Sequence, residues 1–193
     1  MKIGIVSDTH VPDRLKNLHP ALLEALSNEK VDTILHAGDV CSWGVIKELE
    51  TIAPVVAVCG NRDWLLSGKL PGRRMLDLEG VTTALIHGYS SWWNYFIDKF
   101  QYVLVGYEFD RYFQMLTRTF PKADVIIFGH THEVECRYLK GKWIINSGSS
   151  GMPGSKIKKP SYGLMKIKSG KVISTEIRYL EGAKIINRQW VRE

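Results

Sequence analysis

Seven side chains that could give nitrogen or oxygen to a metal ion punctuate this sequence, each just after an apolar run. Asp8 and His10 follow "KIGIV" in "SDTH", and Asp39 closes "TILHAGD". Asn61 follows "PVVAVCG" and is trailed by Arg62 and Asp63. His87 ends "TTALIH", and His130 and His132 stand one residue apart in "FGHTHEVEC" after "ADVIIF". Any one of these has a bland reading: Asp and Asn after Gly are common turn residues, and a lone His is most often a satisfied core or surface group. Two neutral imidazoles on one side of a loop can be core polar residues, a pH switch or metal ligands. The joint pattern separates these readings. Three carboxylate or amide groups and four of the six histidines stand at successive strand ends, with His19 outside the set and His36 just behind it.

Seven N/O donors are too many for one tetrahedral ion. They suit two divalent ions about 3.5–4 Å apart that share a carboxylate. Asp39, on a central strand, is the natural bridge. No cysteine falls in the set, and mixed imidazole and carboxylate donors favour Mn²⁺, with Ni²⁺, Zn²⁺, Fe²⁺ or Co²⁺ as alternatives, over the more oxygen-seeking Mg²⁺.

The elements that would position these groups alternate strand and helix in the first half. "KIGIVSD", "VDTILHAGD" and "PVVAVCGN" read as strands; "HPALLEALSNEK" and "SWGVIKELETI" read as helices, the second capped by Ser42. That order makes a parallel βαβαβ unit, whose sites form beyond the carboxyl ends of the strands. The second half turns to hairpins, with turns at Glu79-Gly80, Lys140-Gly141 and Ser169-Gly170. A two-sheet β-sandwich with flanking helices, of α/β type, fits the order best. The whole of residues 1–193 reads as one domain, with no repeat, linker or low-complexity tract.

Composition narrows the class without choosing a function. With 45% hydrophobic and 24% charged residues, the chain is ordinary for a soluble globular protein. The opening "MKIGIVSDTH" has no apolar h-region or cleavage site, and no window is long and apolar enough to span a membrane, so neither a signal peptide nor a membrane role is expected. Three cysteines without a C-x-x-C spacing fit a reducing cytoplasm. The net charge of +6 suits an anionic substrate, and suits equally a soluble protein that happens to be basic.

In this order D-x-H, G-D, G-N-x-D, H and G-H-x-H resemble the calcineurin-like metallophosphoesterase superfamily. The "MKIGIVSDTH" start and the "INSGSSG…PSYG" finish are similar to its small bacterial and archaeal phosphodiesterases of the YfcE and MJ0936 type, to which the scaffold Vps29 is related. The resemblance implies a metal-dependent phosphodiesterase that hydrolyses phosphoesters with a metal-bridging hydroxide. By matching positions, Asp8, His10 and His132 would hold one ion and Asn61, His87 and His130 the other, with Asp39 bridging. Asp39, Asn61 and Arg62 are the expected catalytic residues, Asn61 through a hydrogen bond to a substrate oxygen. The alternatives are a Vps29-like scaffold, which has no reason to keep every ligand, and a nuclease, which needs a longer basic groove than one short lysine run supplies.

Two departures stand out. Many members of the superfamily carry a proton-donating His where this chain has Arg62. An arginine cannot donate at neutral pH, so Arg62 either grips phosphate as a bidentate fork or pairs with Asp63 or another carboxylate. The second departure is an insertion over about 90–120 that reads as helical and holds 11 of the 20 aromatic residues between Trp92 and Phe120. Phe96, Phe100, Val103 and Tyr107 follow helical spacing, as do Phe109, Tyr112, Leu116 and Phe120. These stripes either finish the core, form a homo-oligomer surface, or make a lid that stacks a base or aryl group. Lys156, Lys158 and Lys159 in "GSKIKKPSYG" read as a solvated run near the site edge, or as a guide for anionic substrates.

Overall fold

The structure is a computed structural model that describes residues 1–88 and 107–193. Strand β1 (Lys2–Val6) leads through helix α1 (Pro20–Asn28) to β2 (Thr33–His36), and through α2 (Trp43–Glu50) to β3 (Val55–Ala57). Both crossovers give parallel pairs, β1 with β2 and β2 with β3. His19 and Ser42 cap the two helices; the Ser42 hydroxyl accepts from the Val45 N–H at 3.4 Å.

After a short 3₁₀ turn at Trp64–Leu66, the chain forms β4 (Arg73–Leu78), β5 (Val81–Ile86), α3 (Phe109–Thr119), β6 (Val125–Phe128), β7 (Val134–Leu139) and β8 (Lys142–Ser147). These five strands make a second sheet in the order β4-β5-β6-β8-β7. Strands β9 (Ser161–Lys168) and β10 (Lys171–Tyr179) return to the first sheet, whose order is β10-β9-β1-β2-β3. A separate hairpin of β11 (Ala183–Ile186) and β12 (Gln189–Arg192) ends the chain.

Side-chain alternation builds the layers. Ile3 and Ile5 of β1 point inward with Leu35, Met165 and Ile167, and meet Leu85, Val125, Ile127 and Ile145 of the second sheet in a core between the two sheets. On the outer face of the first sheet, Val6 and Ile34 pack against Leu22 and Leu26 of α1 and Leu49 of α2. On the outer face of the second, Ala84, Ile126 and Phe128 receive Phe109, Tyr112, Phe113 and Leu116 of α3. The fold is therefore the expected two-sheet sandwich with helices outside. The stripe from Phe109 to Phe120 finishes the core, and the companion stripe over Phe96, Phe100 and Val103 lies outside the described residues. Among the described residues, no helix is long and apolar enough to cross a membrane.

Among the described residues, four hairpin turns have both central residues at positive φ: Glu79-Gly80, Lys140-Gly141, Ser169-Gly170 and Asn187-Arg188. That conformation matches the twist of the flanking strands. The first three carry the glycine that reveals them in the sequence, and the fourth does not.

Candidate metal centre

All seven donor residues converge beyond the carboxyl ends of five strands. These ends are divided between the two sheets, with β1, β2 and β3 in the first sheet and β5 and β6 in the second. The site therefore sits at the end of the sandwich, where the two sheets face each other. Five of the seven residues adopt left-handed backbone: Asp8 (φ 53), His10 (φ 54), Asp39 (φ 54), His130 (φ 72) and His132 (φ 59). Asp and His tolerate this region better than most residues, and such conformations concentrate at functional sites because surrounding structure must hold them.

Backbone bonds knit the loops into a cradle. The Asp8 N–H donates to Gly38 O at 3.0 Å and the His10 N–H to Asp39 O at 3.0 Å. One Asp8 oxygen, Oδ2, contacts the Ser7 hydroxyl and accepts the His130 N–H at 3.1 Å. The sheets come close here. A Cβ on Gly129 would lie 2.9 Å from both Ala37 O and Asp8 Oδ2, so the G-H-x-H turn needs its glycine.

Within this cradle the donors form two groups about Asp39. His10 Nε2 lies 3.1 Å from His132 Nε2 and 3.7 Å from Asp39 Oδ2. Asp8 Oδ1 lies 3.4 Å from His132 Nε2. On the other side, Asp39 Oδ1 is 3.4 Å from His87 Nε2, while Asn61 Oδ1 is 3.1 Å from His87 Nε2 and 3.0 Å from His130 Nδ1. The two oxygens of Asp39 thus face different groups. Asp8, His10 and His132 present donor atoms within 4.8 Å of one another, and so do Asp8, Asp39 and His87.

Several observations fit divalent cations here. Asp8 Oδ1 is buried among three imidazoles and has no hydrogen-bond partner among the described residues. His132 Nδ1 is 2.6 Å from Met152 O and His87 Nδ1 is 2.8 Å from Ala37 O. Each Nδ1 must therefore carry the hydrogen, which leaves Nε2 of the neutral ring as a lone pair aimed into the site. Electrostatics agree. Burial raises the Asp8 carboxyl, but His132, His87 and His10 outweigh it and hold it below the usual carboxylate range. Burial lowers His87, and Asp39 and Asp8 overcome this to raise it to about 10. His132 is raised against burial by Asp8 in the same way, whereas burial takes His10 down to about 4. Two buried carboxylates demand positive charge, and in the metal-free chain protons on imidazoles supply it.

The remaining candidates resolve differently. His36 is a satisfied buried imidazole: its Nδ1 accepts the Gly38 N–H at 3.2 Å and its Nε2 meets Thr9 Oγ1 at 3.2 Å, tying the β1 and β2 loops together. Arg62 does not pair with Asp63. Its Nη1 lies 3.6 Å from Asp13 Oδ2 at the solvent edge, because Asp63 is engaged elsewhere. Asp63 is 1% exposed and accepts three backbone N–H groups, Asp39 and Gly60 on Oδ2 at 3.0 and 2.6 Å and Cys41 on Oδ1 at 2.6 Å. It is the bracket between the β2 and β3 loops, and its place in "GNRD" is the only sequence signal for that role. Lys159 pairs with Glu181 at 2.6 Å and Lys156 lies over the Tyr107 ring at 4.6 Å, so neither is turned to the site. Sequence reasoning missed Met152, whose contribution is a carbonyl and leaves no residue-type signature. It missed Glu133 as well, which is 2% exposed and holds the Met152 loop by accepting Ser155 N–H at 3.0 Å.

Comparison with known proteins gives consistent findings. The family described as the calcineurin-like phosphoesterase superfamily domain matches residues 1–170. A probable metallophosphoesterase of Methanothermobacter thermautotrophicus is 35% identical over 180 residues, 92% of each chain. Phosphodiesterase MJ0936 of Methanocaldococcus jannaschii is 32% identical over 149 residues, 77% of this chain and 83% of that one. Among solved structures, Vps29 of Entamoeba histolytica complexed with zinc shares the fold with a TM-score of 0.70 at 22% identity, over 93% of this chain and 98% of that chain.

Proposed function

The chain belongs to the calcineurin-like phosphoesterase superfamily and is a metallophosphoesterase; we propose that it hydrolyses phosphodiesters at two divalent ions, Mn²⁺ foremost. The single observation that carries this reading is the placement of Asp39, one oxygen 3.7 Å from His10 and the other 3.4 Å from His87, so that its two oxygens face different donor groups. Asp8, His10 and His132 would hold one ion, Asn61, His87 and His130 the other, and Asp39 both. Bound there, two such ions supply a water acidified towards neutrality and neutralise charge on the phosphoryl oxygens.

The protein's own contribution is orientation. Ala37 O and Met152 O fix the tautomers of His87 and His132, so each ring offers Nε2 without rearrangement. The Arg62 backbone N–H donates to Asp39 Oδ1 at 2.7 Å, which fixes the direction of the shared carboxylate. Its guanidinium, at the rim, is placed to grip a non-bridging phosphate oxygen as a fork. Arg62 gives no proton to the leaving group, so esters with good leaving groups, such as aryl diesters, are the expected fast substrates. Three thiols without a disulfide fit a reducing compartment such as the cytoplasm.

The test is hydrolysis of bis(p-nitrophenyl) phosphate against p-nitrophenyl phosphate by stripped protein re-supplied with Mn²⁺, Ni²⁺ or Mg²⁺, with Asp39→Ala as control. Metal-dependent diester cleavage lost in Asp39→Ala is the expected result. Protein that binds two ions and turns over neither ester refutes the assignment and favours a binding scaffold.

A further inference from the structure

The C-terminal hairpin lies beyond residues 1–170, the span matched by the family, yet it grips the loop that follows His10. Its tight turn at Asn187-Arg188, both residues left-handed, thrusts Arg188 onto that loop. The Arg188 guanidinium donates to Arg14 O at 3.0 Å, to Pro12 O at 3.1 Å and to Asp13 O, while Arg188 O accepts the Lys16 N–H at 2.7 Å. Two residues on, the Trp190 N–H donates to Asn17 Oδ1 at 2.9 Å and Asn17 Nδ2 to Trp190 O at 3.0 Å. The Trp190 indole packs on the His19 ring, centroids 4.6 Å apart.

The gripped loop runs between a metal-ligand candidate and the site rim. Its turn is anchored on His10 itself, whose carbonyl accepts the Arg14 and Leu15 N–H groups at 2.8 and 3.1 Å. The Asp13 carboxylate projects from it and stands 3.9 Å from His10 Nδ1 and 3.6 Å from Arg62 Nη1. An arginine at a solvent edge gives up side-chain freedom when it grips a phosphate, and a nearby carboxylate that already orients it removes part of that cost.

We propose that the C-terminal hairpin is a positioning clamp for the substrate rim: Arg188, locked onto the carbonyls of residues 12–14, holds Asp13 where it docks the Arg62 guanidinium. The role rests on the phosphodiesterase reading for its substrate, and on the Arg188–Asp13–Arg62 chain of contacts for its geometry.

Arg188→Ala, Arg188→Lys, Arg62→Ala and the Arg62→Ala/Arg188→Ala pair test it in the metal-loaded full chain. Arg188→Ala is expected to raise KM for bis(p-nitrophenyl) phosphate about fivefold, as for a charge-assisted phosphate contact that loses its geometry, with kcat changed less than about twofold. It is expected to leave two ions bound and to speed deuterium exchange at the amides of residues 14–16. Arg188→Lys recovers part of the KM. On the Arg62→Ala background the same change adds nothing to KM. An equal rise in KM on both backgrounds overturns the clamp, as does faster exchange of the loop amides with KM unaltered. Should the wild-type chain cleave no diester, the phosphodiesterase reading fails by itself. The dissociation constant for inorganic phosphate, compared across the same four variants, then decides the clamp: weakening that requires Arg62 supports it, and weakening independent of Arg62 sinks it.

Discussion

Removing the Asp63 carboxylate tests whether the centre is held together by its loops or only by whatever binds in it. In Asp63→Ala three buried N–H groups, those of Asp39, Cys41 and Gly60, lose their acceptor. Hydrogen bonds to a charged group contribute about 1.5–3 kcal/mol each. Burial pushes the Asp63 carboxyl up in spite of these bonds, so its ionised form is not fully compensated and the low end applies. Three bonds at about 1.5 kcal/mol give a loss of roughly 4–5 kcal/mol, a large share of a typical domain's 5–15. For a chain of this size that lowers Tm by about 9–18 °C, at roughly 2–4 °C per kcal/mol. Asp63→Asn can place its amide oxygen at the Oδ2 position and keep two of the three bonds in weaker, neutral form, so its loss should be clearly smaller than that of Asp63→Ala. The assay is thermal and urea unfolding of chelator-treated protein, followed by calorimetric titration with Mn²⁺. Metal affinity should fall at least about tenfold in Asp63→Ala, because the Asp39 backbone loses its anchor. An alanine variant within about 1 kcal/mol of wild type, or an asparagine variant as damaged as the alanine one, would refute the bracket.

Further outcomes follow from neighbouring geometry. Gly38 has φ +93 and a Cβ there would sit 2.6 Å from His87 Nδ1, so Gly38→Ala should displace the ring from Ala37 O and weaken metal binding with the chain still folded; unchanged calorimetric affinity would contradict this. Glu133→Ala should loosen the loop that carries Met152 O and cost about tenfold in metal affinity, whereas Glu133→Gln keeps the acceptor and most of the affinity. His19 is taken down to about 4 by burial from a reference of 6.5. The unfolded chain therefore binds the proton first, and the stability His19 contributes is present above about pH 6.5 and is lost as pH falls towards 4. His19→Asn retains a capping acceptor without that titration, so its stability should fall less steeply over this window in urea melts at stepped pH; parallel slopes would count against the assignment.

Residue type and spacing carried the centre. Asp8, His10, Asp39, Asn61, His87, His130 and His132 are legible as candidates because Asp, Asn and His are among the few side chains that can give oxygen or nitrogen to a metal ion, and because each follows an apolar strand whose end is marked by a small residue. Strands β1 to β10, helices α1 to α3 and three of the hairpin turns are legible for the same local reasons: period, cap and the Gly that a left-handed turn demands. The Asn187-Arg188 turn was not, since it reaches the same conformation without glycine.

Only the tertiary structure decided which groups serve which. The sequence offers Asp8 and Asp39 as ligands, with Asp39 as the bridge, and gives Asp63 no role beyond a partner for Arg62. Folding turns one oxygen of Asp8 inward with no hydrogen-bond partner among the described residues, sets Asp39 between two donor groups and spends Asp63 on backbone N–H groups. Arg62 meets Asp13, 49 positions earlier in the chain, and Met152 contributes a carbonyl, which every residue possesses. Such contacts depend on where two sheets and a terminal hairpin bring distant backbone together. Ligand chemistry is a property of side-chain type and can be read one residue at a time; positioning is a property of pairs far apart in the chain, and exists only once the sandwich has closed.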